Sequence, residues 1–129
     1  MKSLAESVVQ AATATPLYQV KGEFFKVLGH PARIRVLELL SEQERSVGEL
    51  AAEVGIETSH LSQQLGVLRR AGVVAARKDG TSVIYSLAAP EVAELLAVAR
   101  RVLAVILSGQ VDVLKDLEVG APSGRASRR

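Results

Sequence analysis

GIETSHLSQQLGVLRRAG, residues 55–72, reads as one short helix with two different faces. Leu61, Leu65 and Leu68 recur at helical spacing within a narrow arc, so that side is expected to bury against a core. Ser59, Gln63, Gly66, Val67 and Arg70 point the other way, with His60 and Ser62 on the flanks. This outward face is polar, short-chained and almost free of carboxylates. Hydroxyl, amide and imidazole groups of that kind cannot hold a core together, but they donate to and accept from base edges and phosphates. The pattern predicts a DNA-recognition helix over residues 58–71.

The flanking sequence fits this reading. Ser46-Val47-Gly48-Glu49 has capping-box spacing and opens a helix of two turns, residues 47–54, with Leu50, Ala51 and Val54 inward. Gly55 ends it. A short helix with a small Ala51, a Gly four residues on and a second helix with Leu61 inside has the spacing of a helix-turn-helix, in which the Gly takes the positive φ of the turn. Gly72 is placed as the C′ glycine of the second helix, and the period then changes from helical to strand-like. Residues 73–78 and 81–87 are rich in β-branched side chains and are joined by Asp79-Gly80, a strong hairpin signal. Pairing about that turn sets Ala76 opposite Val83 and Val74 opposite Tyr85, on a face laid against the helices.

Further out, Ser3-Leu4-Ala5-Glu6 caps a first helix that runs to about Ala12 and carries Val8 inward. Apolar Val20, Phe24, Val27 and Leu28 predict a second helix over residues 17–28, stopped by Gly29. Pro31 starts a third, with Ile34, Val36, Leu37 and Leu40 buried. Residues 41–45 read as a polar loop. Pro90 opens the last helix, whose stripe includes Leu95, Val102, Leu103 and Ile106. From Val102 to Leu107 it is apolar almost all round, and a small domain has too little core to bury that, so a second subunit is the expected cover. Gly109 marks a bend or break before residues 111–117 resume the pattern.

The expected organisation is therefore an N-terminal helix and linker over 1–16, contributing Val8 to a dimer interface. A winged helix-turn-helix with its dimerisation helix follows over 17–108, then a helical extension over 109–117 and a disordered basic tail over 118–129. The fold class is mainly α with a small β-hairpin. At 129 residues the chain fits one domain. It contains no Cys, which excludes disulfides, thiolate metal sites and cysteine catalysis. With neither a signal peptide nor an apolar run near the ~20 residues of a membrane span, it is expected to be soluble and cytoplasmic. Net charge is only +2, but Arg69, Arg70, Arg77 and Lys78 cluster after Leu61, whereas Glu38, Glu42, Glu44, Glu49, Glu53 and Glu57 precede it. A local basic patch is what phosphate contact requires.

FFKVLGHPARIRVLELL (residues 24–40), SVGELAAEVGIETSHLSQQLGVLRRAGVV (46–74) and RKDGTSVIYSL (77–87) together resemble the ArsR/SmtB family of bacterial transcriptional regulators. The resemblance covers about residues 17–107. It implies a homodimer that presents two recognition helices to successive major grooves of a near-palindromic operator, with the N- and C-terminal helices as its interface. Repression is the family default, and activation is an alternative. Many members release DNA on binding a metal ion, and here the sequence departs from the family. The thiolate site would need Cys beginning where Ser46 stands, and the site in the last helix would need carboxylate and His ligands where Ala89, Glu91, Val102 and Val105 stand. One carboxylate is not a metal site, so no metal or cofactor is expected there, and any effector is an unidentified small molecule or protein.

The residues expected to touch double-stranded DNA are Thr58, Ser59, His60, Ser62, Gln63 and Gln64 from the helix, Arg69 and Arg70 at its end, and Arg77 and Lys78 on the wing. The competing reading makes the helix start a solvated surface capped by Thr58, the wing charges a guard against strand-to-strand aggregation, and Arg69 or Arg70 a partner for an acidic side chain. His30, before a helical proline, reads as structural. Neither histidine has a Ser and a carboxylate at motif spacing, which argues against an enzyme. A module that kept the fold for protein interaction and lost DNA binding is the remaining alternative.

Overall fold

In the computed structural model, which describes residues 3–6 and 15–118, the elements follow in the order α1 (Leu17–Leu28), α2 (Pro31–Glu42), β1 (Arg45–Ser46), α3 (Val47–Val54), α4 (Thr58–Arg70), β2 (Val74–Asp79), β3 (Ser82–Leu87) and α5 (Glu91–Glu118). Residues 4–6 form a helical turn closed by the expected capping box, Ser3 N–H donating to Glu6 and Glu6 N–H to Ser3 Oγ. Val8 and residues 119–129 lie outside the described residues.

The helix boundaries follow from local chemistry. α2 begins at Pro31, and the imidazole Nδ1 of His30 accepts the Ala32 N–H at 3.2 Å, a structural use for that histidine. α3 is opened by a complete capping box, with Ser46 Oγ accepting from Glu49 N–H and the Glu49 carboxylate accepting from Ser46 N–H. Gly55, at φ +80°, closes α3 in the left-handed conformation that a side chain would strain. α4 ends in a Schellman pair, Gly72 N–H donating to the Arg69 carbonyl and Val73 N–H to that of Leu68.

The core is aliphatic. Val36, Leu37, Leu39 and Leu40 of α2, Leu50 of α3, and Leu61, Leu65 and Leu68 of α4 are buried together with Leu28, Val73 and Val74. Ile34 is only half-buried, and Leu39 takes a core place that the sequence periodicity did not assign. α2 packs on α3, α4 and β3, and α4 also contacts α1, α3 and β2.

The sheet differs from expectation in two ways. Arg45 and Ser46, read as loop and cap, pair with Tyr85 and Ile84, which makes a three-stranded antiparallel sheet of order β1-β3-β2. The hairpin also turns at Gly80-Thr81, with Asp79 opposite Ser82, Ala76 opposite Tyr85 and Val74 opposite Leu87. The reason lies in the backbone. Among the described residues Gly80 has φ +67° and no non-glycine residue has positive φ, so Gly occupies the first central position of the two-residue loop, as a II′-type turn requires. A loop centred on Asp79-Gly80 would have suited a I′ turn, with positive φ at Asp79. Because the shift is two residues, an even number, every side chain keeps its predicted face.

The chain divides into two units, one through Glu94 and one from Leu95. α5 is unbroken from Glu91 to Glu118, so Gly109 does not interrupt it. None of its residues is buried, and Val102, Leu103, Val105, Ile106, Leu107 and Leu114 are all exposed. Exposed Leu17, Tyr18 and Phe25 give α1 an apolar face as well. Among the described residues, no helix is long and apolar enough to cross a membrane.

Candidate nucleic-acid interface

The three buried leucines of α4 fix which way its other side chains point. Thr58, Ser59, His60, Ser62, Gln63, Arg69 and Arg70 are all exposed, and Gly66 and Val67 are half-buried between them. The N-cap is Glu57 rather than Thr58, which is the first helical residue, and no side chain caps the helix. The N–H groups of its first turn therefore lack a side-chain acceptor, the arrangement suited to a phosphate. Among the described residues, no backbone atom of another element is among the three heavy atoms nearest to a Cβ built at Gly66. The nearest neighbour of a Cβ built there is the Arg70 guanidinium, at 3.1 Å, which lies back along the helix.

Gln64 departs from the expected contact set. It is 8% exposed, and its Oε1 accepts a 2.7 Å hydrogen bond from Arg33 Nε. At about 300° around the helix from Leu61, counted at roughly 100° per residue, its side chain falls on the border of the buried stripe. In the free protein its carboxamide is turned toward the interior rather than to the exposed face of Ser59, Ser62 and Gln63. Arg33 escaped the sequence reading because its acceptors, Gln64 and the Val27 carbonyl at 2.9 Å, lie on two other helices. A cation in the first turn of α2 gave no signal of them.

On the wing, Arg77 and Lys78 are exposed near the end of β2. Arg77 forms an ion pair with Glu44 from the α2–β1 loop at 2.7 Å, each side chain about half exposed. Among the described residues, Arg69, Arg70 and Lys78 form no ion pair, so the acidic partner considered for Arg69 or Arg70 is not found there. Three cations thus face solvent without a protein counter-charge among those residues, one on the wing and two at the end of α4.

Ser46, where a family thiolate site would begin, is occupied as the cap of α3. The Ser46 N–H, its hydroxyl and then the nearby Arg45 hold the Glu49 carboxyl below its ordinary pKa, against a small opposing effect of burial. Among the described residues, no three His, Cys, Asp or Glu side chains come together as a metal site.

A model described as the bacterial regulatory protein arsR family matches residues 30–76. The HTH-type transcriptional regulator Rv0081 of Mycobacterium tuberculosis is 70% identical over 106 residues, which cover 81% of this chain and 93% of that protein. The chain belongs to the ArsR family. The crystal structure of Rv0081 superposes with a TM-score of 0.71 at 71% identity, covering 74% of this chain and 97% of the other. The homodimeric winged helix-turn-helix DNA-binding domain Mb0332 from Mycobacterium bovis, solved in solution, gives a TM-score of 0.67 at 30% identity, covering 77% and 90%. The biofilm growth-associated repressor of Agrobacterium fabrum is 46% identical over 71 residues, 55% of this chain and 61% of that protein. The ArsR chain described here is therefore a winged helix-turn-helix regulatory protein and not an enzyme.

Proposed function

We propose that the protein is a homodimeric transcriptional repressor that reads a near-palindromic operator with α4 in the major groove and lays residues 77–82 of the wing on the flanking backbone. The observation that carries this is the outer face of α4. Ser59, His60, Ser62 and Gln63 are exposed, no carboxylate interrupts them, and the aliphatic side of the same helix is fully buried. Such a face offers donors and acceptors to base edges, while Arg69, Arg70 and Lys78 supply charge for phosphates.

Dimerisation follows from α5. A helix of 28 residues, about 42 Å long at roughly 1.5 Å per residue, with Val102, Leu103 and Ile106 about half exposed, is covered by a second copy. Leu95, Val8 and the exposed α1 residues belong to the same reading. The homodimeric state of Mb0332 supports it, and the repressor from Agrobacterium supports the sign of regulation. The two half-sites are then expected about 34–36 Å apart, one turn of DNA. The inducing signal acts at neither of the family's two metal sites, since Glu91 is the one residue at those positions that could ligate a metal as the family's residues do.

Gel shift with genomic fragments tests the proposal. Retardation of particular fragments at nanomolar protein, resistant to random competitor DNA, is the expected result. No selective retardation at micromolar protein would favour a protein-interaction module instead.

A further inference from the structure

The Arg33–Gln64 contact does more than fill a gap. Leu61, Leu65 and Leu68 hold α4 by aliphatic burial, which is non-directional, and such contacts tolerate small rotations of the helix about its own axis. A roll of about 10° moves a side-chain tip at the helix surface by roughly 1 Å, enough to spoil a base contact that must be held within about 0.5 Å. A hydrogen bond resists that motion because it depends on distance and angle. The bond from Arg33 Nε to Gln64 Oε1 is 2.7 Å long and sits at the edge of the buried stripe, on the same flank as His60 and Val67. Arg33 is itself anchored, since its Nη1 donates to the Val27 carbonyl at 2.9 Å, in the last turn of α1. Among the described residues it is the only side-chain hydrogen bond made by α4 to another element.

We infer that Arg33, acting through Gln64, is a positioning residue for sequence reading: it sets the roll of α4 and so the register of Ser59, His60, Ser62 and Gln63 against the bases. The inference rests on the reading of α4 as the recognition helix. It assigns Gln64 a role in specificity without contact with DNA.

The test compares full-length variants on two duplexes of equal length, one selected by the wild-type protein from a randomised pool and one scrambled. Gln64→Met keeps the volume and removes the acceptor, whereas Gln64→Glu retains an acceptor for Arg33. A residue that only stabilises the fold lowers the active fraction, which scales both affinities alike and leaves their ratio fixed. Gln64→Met is expected to lower the ratio of selected to scrambled affinity about tenfold, the scale of removing one bidentate base pairing, and Gln64→Glu to keep it within about threefold. Arg33→Met should lower the ratio as Gln64→Met does, and the double variant no further. If Gln64→Met leaves the ratio at the wild-type value while Gln63→Ala lowers it, the positioning role is refuted and α4 remains the reader. If Gln63→Ala and alanine at Ser59, His60 and Ser62 also leave it unchanged, the reading of α4 fails and the positioning role falls with it. Should Gln64→Met not fold, a ratio abolished in Gln64→Glu, where the bond to Arg33 is kept, would equally overturn the inference.

Discussion

On the proposed wing contact, Glu44 would compete with DNA for Arg77. The carboxylate holds the wing guanidinium at 2.7 Å in the free protein, and both side chains are about half exposed, so the pair is solvent-screened. An ion pair of this type contributes about 0.2–1 kcal/mol. If a phosphate replaces Glu44 on both wings of a dimer, binding is opposed by about 0.4–2 kcal/mol, and Glu44→Gln should tighten DNA binding by about two- to thirtyfold. Arg77→Ala should do the reverse. It should also flatten the slope of log K against log salt by about 0.9 per phosphate contact, about 1.8 per dimer. Because phosphate contacts carry no sequence information, both variants should act on selected and random DNA alike. Fluorescence anisotropy over a salt series measures affinity and slope together. An unchanged slope in Arg77→Ala, or weaker binding by Glu44→Gln, would show that the pair fixes the shape of the wing and that Arg77 does not meet the backbone.

Leu103, 54% exposed within the apolar run of α5, is expected to be buried in the dimer, so Leu103→Glu should yield a monomer or an unfolded chain. Light scattering of the wild type should give about twice the 13.7 kDa chain mass, and a wild-type monomer at micromolar concentration would defeat the dimer model. Ser46→Ala, which removes the α3 cap, should lower stability by about 1 kcal/mol in urea titration. Glu49 has a lowered folded-state pKa, so its stabilisation is present in full above the ordinary Glu range and disappears as pH falls through the lowered value. The stability difference between wild type and Glu49→Gln should accordingly be constant above the ordinary Glu range and shrink as pH falls below it, and a difference that grew on acidification would contradict the cap chemistry. Zinc, nickel and cobalt should neither bind stoichiometrically nor shift affinity for the selected duplex; a tight site that did both would require ligands other than those the family uses.

The helices were legible because their signals are local. Period 3.6 in Leu61, Leu65 and Leu68, the Ser46–Glu49 capping box, and Gly29 and Gly55 as stops fix boundaries within a few residues of themselves. The hairpin was legible as an element but not in register, because Asp79-Gly80 and Gly80-Thr81 both place a glycine in a two-residue loop and only the sign of φ at each position separates them. β1 escaped notice since two residues carry no period. Gln64 was assigned to the DNA by residue type. It is buried with its Oε1 hydrogen-bonded to Arg33, 31 residues earlier, and long-range polar pairing leaves no local pattern. The ion pair of Arg77 with Glu44 was hidden for the same reason.

The central claim is that α4 reads sequence while the wing supplies unspecific affinity, and Gln63 tests it most directly. Gln63→Ala removes no charge and lies on the exposed face, away from the core. Its affinity for the selected duplex and for random DNA should be measured against wild type at one salt concentration. The account predicts a loss of about 1–3 kcal/mol per half-site on the selected duplex with little change on random DNA. An unchanged ratio of the two affinities, repeated for alanine at Ser59, His60 and Ser62, would contradict it.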